Sequence, residues 1–132
     1  MTPTSELELS DMIKAVNGPL RIVGGGTRPI GHVMGEVLST AALSGITLHE
    51  PGALTLVARA GTPVVDIEAT LATQNQRLAF EPMDHRALMG TSGQPTIGGV
   101  VAANISGPRR ISVGACRDFL LGVRFVDGAG NI

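Results

Sequence analysis

Aromatic residues are scarce in this chain. It has no tryptophan, no tyrosine and three phenylalanines among 132 residues. A core must therefore be built from Val, Ile, Leu, Ala and Met. The scarcity also argues against single-stranded nucleic-acid binding, which relies on aromatic stacking platforms. Cysteine is nearly missing as well. Cys116 stands alone, so no intramolecular disulfide can form, which fits a reducing compartment. The formal net charge is −1, which provides no field to draw in DNA, RNA or an anionic membrane. No apolar run is long enough to span a bilayer. The acidic start, MTPTSELELSDMIKAV, lacks the apolar stretch of a secretory signal. These absences lead to an expected cytoplasmic location and no nucleic-acid partner.

What is present reads as globular. Hydrophobic residues make up 43% and charged residues 16%, a balance outside the disordered class. A chain of this size buries roughly two-thirds of its unfolded surface, enough for one real core. The spacing of Leu7, Leu9, Met12, Ile13 and Val16 predicts a helix over 5–16, capped by Thr4 or Ser5 and stopped by Asn17-Gly18-Pro19. Leu20 to Val23 predicts a short strand. Residues 29–45 read as loop and turn around a short piece near Val37-Leu38. Ile46–Glu50 and Leu54–Ala60 read as two strands joined by a turn at Pro51-Gly52. A helix should follow with Thr62 as N-cap and Pro63 at its first position, its body reaching Gln76. Leu78–Phe80 reads as a strand and Thr96–Ala103 as a tight helix. Phe119–Val126 reads as a last strand ending in the turn Asp127-Gly128-Ala129-Gly130. An Asp-Gly turn after an apolar strand signals a hairpin, yet only Asn131 and Ile132 follow. The expectation is a fragment, or an edge covered by another molecule and prone to self-association.

Two glycine-rich stretches carry the chemistry. Gly24-Gly25-Gly26-Thr27-Arg28 follows a predicted strand, where a phosphate-binding turn belongs. It is neither a Walker loop nor the dinucleotide fingerprint, whose residues and spacings differ. Alone it is equally readable as a flexible turn. The second stretch runs from Pro95 to Asp118 and holds Gly98, Gly99, Gly107 and Gly114 with few bulky side chains. Glycine lets backbone N–H groups approach a ligand, and arginine neutralises phosphate. Gly98 and Gly99 can present N–H groups at a helix start. Asn104 supplies a donor and an acceptor. Gly107-Pro108-Arg109-Arg110 sets two guanidinium groups beside a turn, and Asp118 can accept from an arginine. The plain alternative is a surface loop with solvated arginines. Two such stretches together point to an elongated, diphosphate-containing ligand.

Other polar groups read more simply. His32, His49 and His85 share no metal-ligand spacing with one another or with Cys116, so no metal site is expected. Asp84-His85-Arg86 is polar and can lie near a ligand, but it reads first as an exposed loop; Cys116 reads as a small buried thiol, and Asp66 with Glu68 as a solvated helix face.

In combination the motifs resemble the FAD-binding domain of the vanillyl-alcohol oxidase/para-cresol methylhydroxylase type, and within it the FAD-binding subunit of bacterial glycolate oxidase. The resemblance rests on residues 24–28, Arg59-Ala60-Gly61-Thr62-Pro63, Glu81-Pro82, Thr96-Ile97-Gly98-Gly99, Gly107-Pro108-Arg109-Arg110, Arg117-Asp118-Phe119 with Leu121-Gly122, and Gly128-Ala129-Gly130. It covers nearly the whole chain after Leu20.

The resemblance implies an α+β fold of two small α/β subdomains, about 1–90 and 91–132, with FAD extended between them and the second one incomplete. The family's domain continues well beyond Ile132, so the substrate or cap domain is absent here. The resemblance assigns the first pyrophosphate loop to Gly24, Gly25, Gly26, Thr27 and Arg28. It assigns the second to Thr96, Ile97, Gly98, Gly99, Ala103, Asn104, Gly107, Arg110, Gly114 and Asp118, with Arg110 meeting a phosphate. Members with covalent flavin often carry a histidine directly after the first glycines. Here Thr27 stands there and His32 is too far along, so FAD is expected to be non-covalent. The implied activity is oxidation of glycolate or a similar 2-hydroxy acid to a 2-oxo acid, with hydride passing to flavin and electrons to other glycolate oxidase subunits, flavin and iron–sulfur, in a complex peripheral to the inner membrane. No catalytic base is identified in this segment. Rival readings are a non-catalytic binding or interaction piece, a D-lactate dehydrogenase relative and a sugar-lactone oxidase.

Overall fold

A computed structural model describes residues 1–31 and 34–132. The elements in chain order are α1 (Glu6–Ala15), β1 (Leu20–Val23), β2 (Glu36–Ser39), β3 (Ile46–Glu50), β4 (Thr55–Ala58), α2 (Val64–Ala72), α3 (Arg86–Met89), α4 (Ile97–Ala102) and α5 (Arg110–Val113). Single 3₁₀ turns lie at Pro51–Ala53 and Cys116–Phe119.

The first helix forms where its caps predict. The Glu8 N–H donates to Ser5 Oγ at 3.2 Å, while the Thr4 N–H and hydroxyl donate back to Glu8 Oε2 at 2.7 and 2.9 Å. These bonds satisfy groups that a helix start leaves orphaned and hold the Glu8 carboxyl below its ordinary pKa. Ser5→Ala is expected to cost about 1 kcal/mol, the ordinary worth of an N-cap, as read by urea denaturation.

Strands β1 and β2 pair in parallel, Leu20 opposite Glu36 through Val23 opposite Ser39. Parallel strands require a crossover, and here the first glycine cluster lies within it. Strands β3 and β4 form an antiparallel hairpin with an irregularity between Ile46 and Leu48. Its turn ends on Leu54 in the left-handed region, φ 51°. The core joins α2, the 78–80 turn, α4 and the 116–119 turn. Val64, Phe80, Val100 and Cys116 are buried together, with Leu78, Ile97, Val101 and Ile105 packed against them. The rings of Phe80 and Phe119 lie 5.6 Å apart, within the range of favourable aromatic pairs. This core draws on residues from both sides of position 90.

Backbone lacing ties the end of the hairpin to the second glycine stretch. The Val64 N–H donates to Pro95 O at 2.9 Å, the Ile97 N–H to Thr62 O at 2.9 Å, and the Gly98 N–H to Ala60 O at 2.8 Å. A Cβ on Gly98 would stand 2.8 Å from Ala60 O. This glycine is therefore a packing device that lets α4 lie against residue 60.

Several local expectations change. Thr62 does not cap α2. Its hydroxyl is engaged by Arg59 O at 2.7 Å and by the Gly45 backbone, so α2 begins at Val64 after Pro63. The helix ends at Ala72, before a turn in which Asn75 takes φ 55°. Leu78–Phe80 is a turn and not a strand, because Phe80 is drawn into the core. Residues 120–126 join no ladder among the described residues. A strand needs a partner, and an apolar run alone does not supply one. The turn that follows does form: the Asp127 N–H donates to Asn131 O and the Gly130 N–H to Asp127 O, at 2.9 and 3.0 Å. It docks on α1, where the Ser10 hydroxyl donates to Gly130 O at 2.5 Å, and Arg124 pairs with Glu6. Helices α3 and α5 have four residues each, too short to leave a periodic signal in sequence.

Candidate functional site

The first glycine cluster leaves β1 and runs beside residues 91–96. A Cβ on Gly25 would overlap Gln94 O, and one on Gly93 would overlap Gly25 O. The two backbones touch along a seam that admits no side chains. The Thr91 hydroxyl donates to Thr27 O at 3.0 Å and closes the seam. Thr27 is buried, and Gly26 sits at φ 68°, where only glycine rests without strain.

A cavity of about 590 Å³ opens beside this seam. It is lined by β1, by residues 24–31, by His85, and by Thr96, Gly99, Ala103 and Ile105. Among the described residues, two groups withdrawn from solvent in its wall lack partners. Arg77, Arg86, Arg109, Arg117 and Arg124 each pair with a carboxylate. Arg28, half-buried in the cavity wall, has no carboxylate partner among the described residues, and burial pushes its pKa down. Among the described residues, the buried Thr96 hydroxyl has no hydrogen-bond partner. An unpartnered buried hydroxyl costs free energy, and an unpaired, partly desolvated guanidinium is poorly compensated. An anion between them would satisfy both.

Of the residues expected to bind cofactor, Gly24, Gly25, Gly26, Thr27, Arg28, Thr96, Gly99 and Ala103 line this one cavity. The remaining seven lie outside its lining. Ile97 packs on the core and Gly98 on Ala60. Asn104, at φ 48°, accepts the Arg117 N–H on its Oδ1 at 3.0 Å. Gly107 donates its N–H to Phe80 O and leaves no room for a Cβ against Glu81 O. Gly114, at φ 98°, lies against Asp118, whose Oδ2 accepts the Ala115 N–H at 2.7 Å. Arg110 is exposed on α5. The same region buries the Cys116 thiol, and that burial raises its pKa.

Sequence reasoning missed Gly93 and Thr91. Gly93 meets Gly25 from far along the chain, which leaves no local signature. Asp84-His85-Arg86 is only in part the exposed loop expected: Arg86 opens α3 and pairs with Asp84 at 2.7 Å, drawing that carboxyl down to about 2. Half-buried His85 lines the cavity, its Nδ1 3.0 Å from Met83 O. His32, weighed above as a flavin or metal ligand, lies outside the described residues.

Comparison with known proteins adds the decisive observation. The model of a family described as "FAD binding domain" matches residues 1–132. The chain belongs to that family. This FAD-binding domain is 40% identical over 99 residues to the glycolate oxidase subunit GlcE of Escherichia coli (strain K12), a match spanning 75% of the chain and 27% of the relative. It thus covers about a quarter of the length of that relative. Among solved structures it superposes on alkyldihydroxyacetonephosphate synthase in two crystal forms. The TM-scores are 0.70 and 0.69 at 18% identity, covering 92% and 89% of this chain and 24% and 22% of the synthase. The fold is mixed α and β, of the para-cresol methylhydroxylase type, and its cofactor is FAD.

The residues present fit that cofactor. FAD brings a diphosphate with negative charge and acceptor oxygens. The cavity of the FAD-binding domain offers a glycine-lined backbone wall, an arginine without a carboxylate and a hydroxyl without a partner. Arginine and oriented donors are the groups suited to phosphate.

Proposed function

We propose that residues 1–132 form the diphosphate-cradling part of a subunit of a flavin-dependent oxidase that acts on glycolate or a similar small 2-hydroxy acid. The observation that carries the reading is the convergence of Arg28 and the orphan Thr96 hydroxyl on one cavity beside the glycine seam. The similarity to a glycolate oxidase subunit supports the substrate class. When bound, FAD supplies the hydride acceptor that turns a 2-hydroxy acid into a 2-oxo acid, and that chemistry belongs to the cofactor. The chain's own part is positional. Residues 24–28 and 91–96 hold a rigid backbone wall, Arg28 offers charge, and Thr96 offers a hydrogen bond. Binding is non-covalent, since Thr27 follows the first glycines where covalent relatives often have histidine. As the relative's name includes "subunit", the intact protein works with partner subunits of the oxidase, and the electrons leave through them.

The test is an NMR titration of the ¹⁵N-labelled chain with FAD. The expected result is saturable shifts at the amides of residues 24–28 and 96–103, with affinity weaker than about micromolar, a binding free energy smaller in size than about 8 kcal/mol. The weak affinity follows from the chain's covering 27% of its relative. Absence of shifts at those amides overturns the cradle. Submicromolar binding overturns the reading that this segment holds only part of the site. FAD that survives acid denaturation of the complex overturns non-covalent attachment.

A further inference from the structure

Gly98 and Gly99 are adjacent in α4 but meet different surroundings. A Cβ on Gly98 would press on Ala60, 2.7 Å from its Cβ and 2.8 Å from its carbonyl oxygen. Among the described residues, a Cβ on Gly99 would meet no backbone outside the helix. Its nearest neighbours would be Arg28 Nη2 at 3.0 Å and Thr96 Oγ1 at 3.5 Å. The Arg28 guanidinium therefore lies against the bare backbone of α4 at residue 99. The unpaired cation and the orphan hydroxyl both face the small volume that a methyl group there would fill.

We propose that Gly99 is the positioning residue for Arg28. Its missing side chain lets the guanidinium settle on α4 beside Thr96, and so sets where the cavity presents positive charge to a diphosphate. This rests on the reading of the cavity as the FAD cradle. The physical argument turns on which partner can yield. Gly99 does not take a positive φ, so alanine fits its backbone, and glycine within a helix is the less stable choice. A methyl at 3.0 Å from Nη2 is too close for ordinary contact, and the flexible arginine gives way before the helix does. Gly99 thus trades local helix stability for the placement of one charge. At Gly98 the obstruction includes backbone, which cannot swing aside. The two neighbouring glycines should then respond to alanine in opposite ways.

The experiment compares Gly98→Ala, Gly99→Ala, Arg28→Ala and the double variant Gly99→Ala/Arg28→Ala in the full chain. Three quantities are read: the melting temperature by circular dichroism, the Arg28 Nε–Hε NMR resonance without ligand, and FAD affinity by shift titration. Gly99→Ala should hold or raise the melting temperature and displace the Arg28 resonance. It should weaken FAD by about ten- to a hundredfold, the range for a charged hydrogen bond and close to the effect of Arg28→Ala. In the Arg28→Ala background it should cost less than about twofold more, because residues acting through one another are not additive. Gly98→Ala should lower the melting temperature whether or not Arg28 is present. An unmoved Arg28 resonance in Gly99→Ala overturns the proposal, and so do independent, multiplying losses in the double variant. If the parent chain shows no FAD binding, the cradle reading falls, and the ligand-free Arg28 resonance alone decides the contact between residues 28 and 99.

Discussion

Gly25→Ala is expected to destabilise the chain by at least about 3 kcal/mol, the upper range for forcing atoms into a packed interior. Domains of this kind hold only about 5–15 kcal/mol in all, so a large part of the population should unfold on mild heating. The added Cβ would overlap Gln94 O. Gln94 cannot retreat freely, because the next residue, Pro95, accepts the Val64 N–H, and Thr96 and Ile97 are laced to residues 62 and 63. Moving residue 94 would pull on the start of α2 and so on the core. Backbone conformation is not the cause, since Gly25 is not among the positive-φ residues. The effect is steric, and Gly93→Ala should reproduce it from the other side of the seam. Gly52→Ala is the control: nothing lies within 4 Å of its Cβ, and the change should stay within about 0.5 kcal/mol. Urea denaturation followed by far-UV circular dichroism is the measurement, since the chain has neither Trp nor Tyr for fluorescence. A Gly25→Ala midpoint equal to that of the parent would show that the seam opens without cost.

Arg28→Glu should weaken FAD binding by about a hundredfold or more, beyond the loss of one charged hydrogen bond, because it adds a repelling carboxylate. Stability should change little. Among the described residues Arg28 has no carboxylate to lose, and its partial burial already disfavours its charge. A loss of affinity without a loss of stability marks a binding residue and not a structural one. Arg109→Glu is the informative contrast. Arg109 is 3.6 Å from Glu81 and lies outside the cavity lining, so reversal there should disturb a surface ion pair and leave FAD nearly untouched. Equal losses of affinity at positions 28 and 109 would move the anion site out of the cavity and towards the Gly107–Arg110 turn. The measurement in both cases is the NMR titration with FAD.

Elements with strong local signals were legible in the sequence. α1 carries a capping serine and an apolar stripe, β1 and β3 are short β-rich runs, and α4 starts where Thr96 precedes small residues. Elements decided by distant partners were not. Residues 78–80 and 119–126 have strand-like composition, yet one folds into a turn under the core and the other finds no ladder. Thr62 looks like a helix cap, but its hydroxyl is claimed by Arg59 and Gly45.

The candidate site divides along the same line. Composition and local order marked both glycine stretches as backbone-lined and arginine-bearing, and so pointed to an elongated phosphate ligand. Which of those residues share a cavity depended on the tertiary structure. Gly25 meets Gly93 and Gln94, and Arg28 reaches Gly99, across some seventy positions of chain. Asn104, Gly107, Gly114 and Asp118 spend their polar groups or their close approaches on the protein's own backbone and, for Gly114 and Asp118, on each other. Glycine content tells that a backbone is approached closely. Whether ligand or protein makes the approach is a question of what lies opposite, and the linear sequence does not contain that distance.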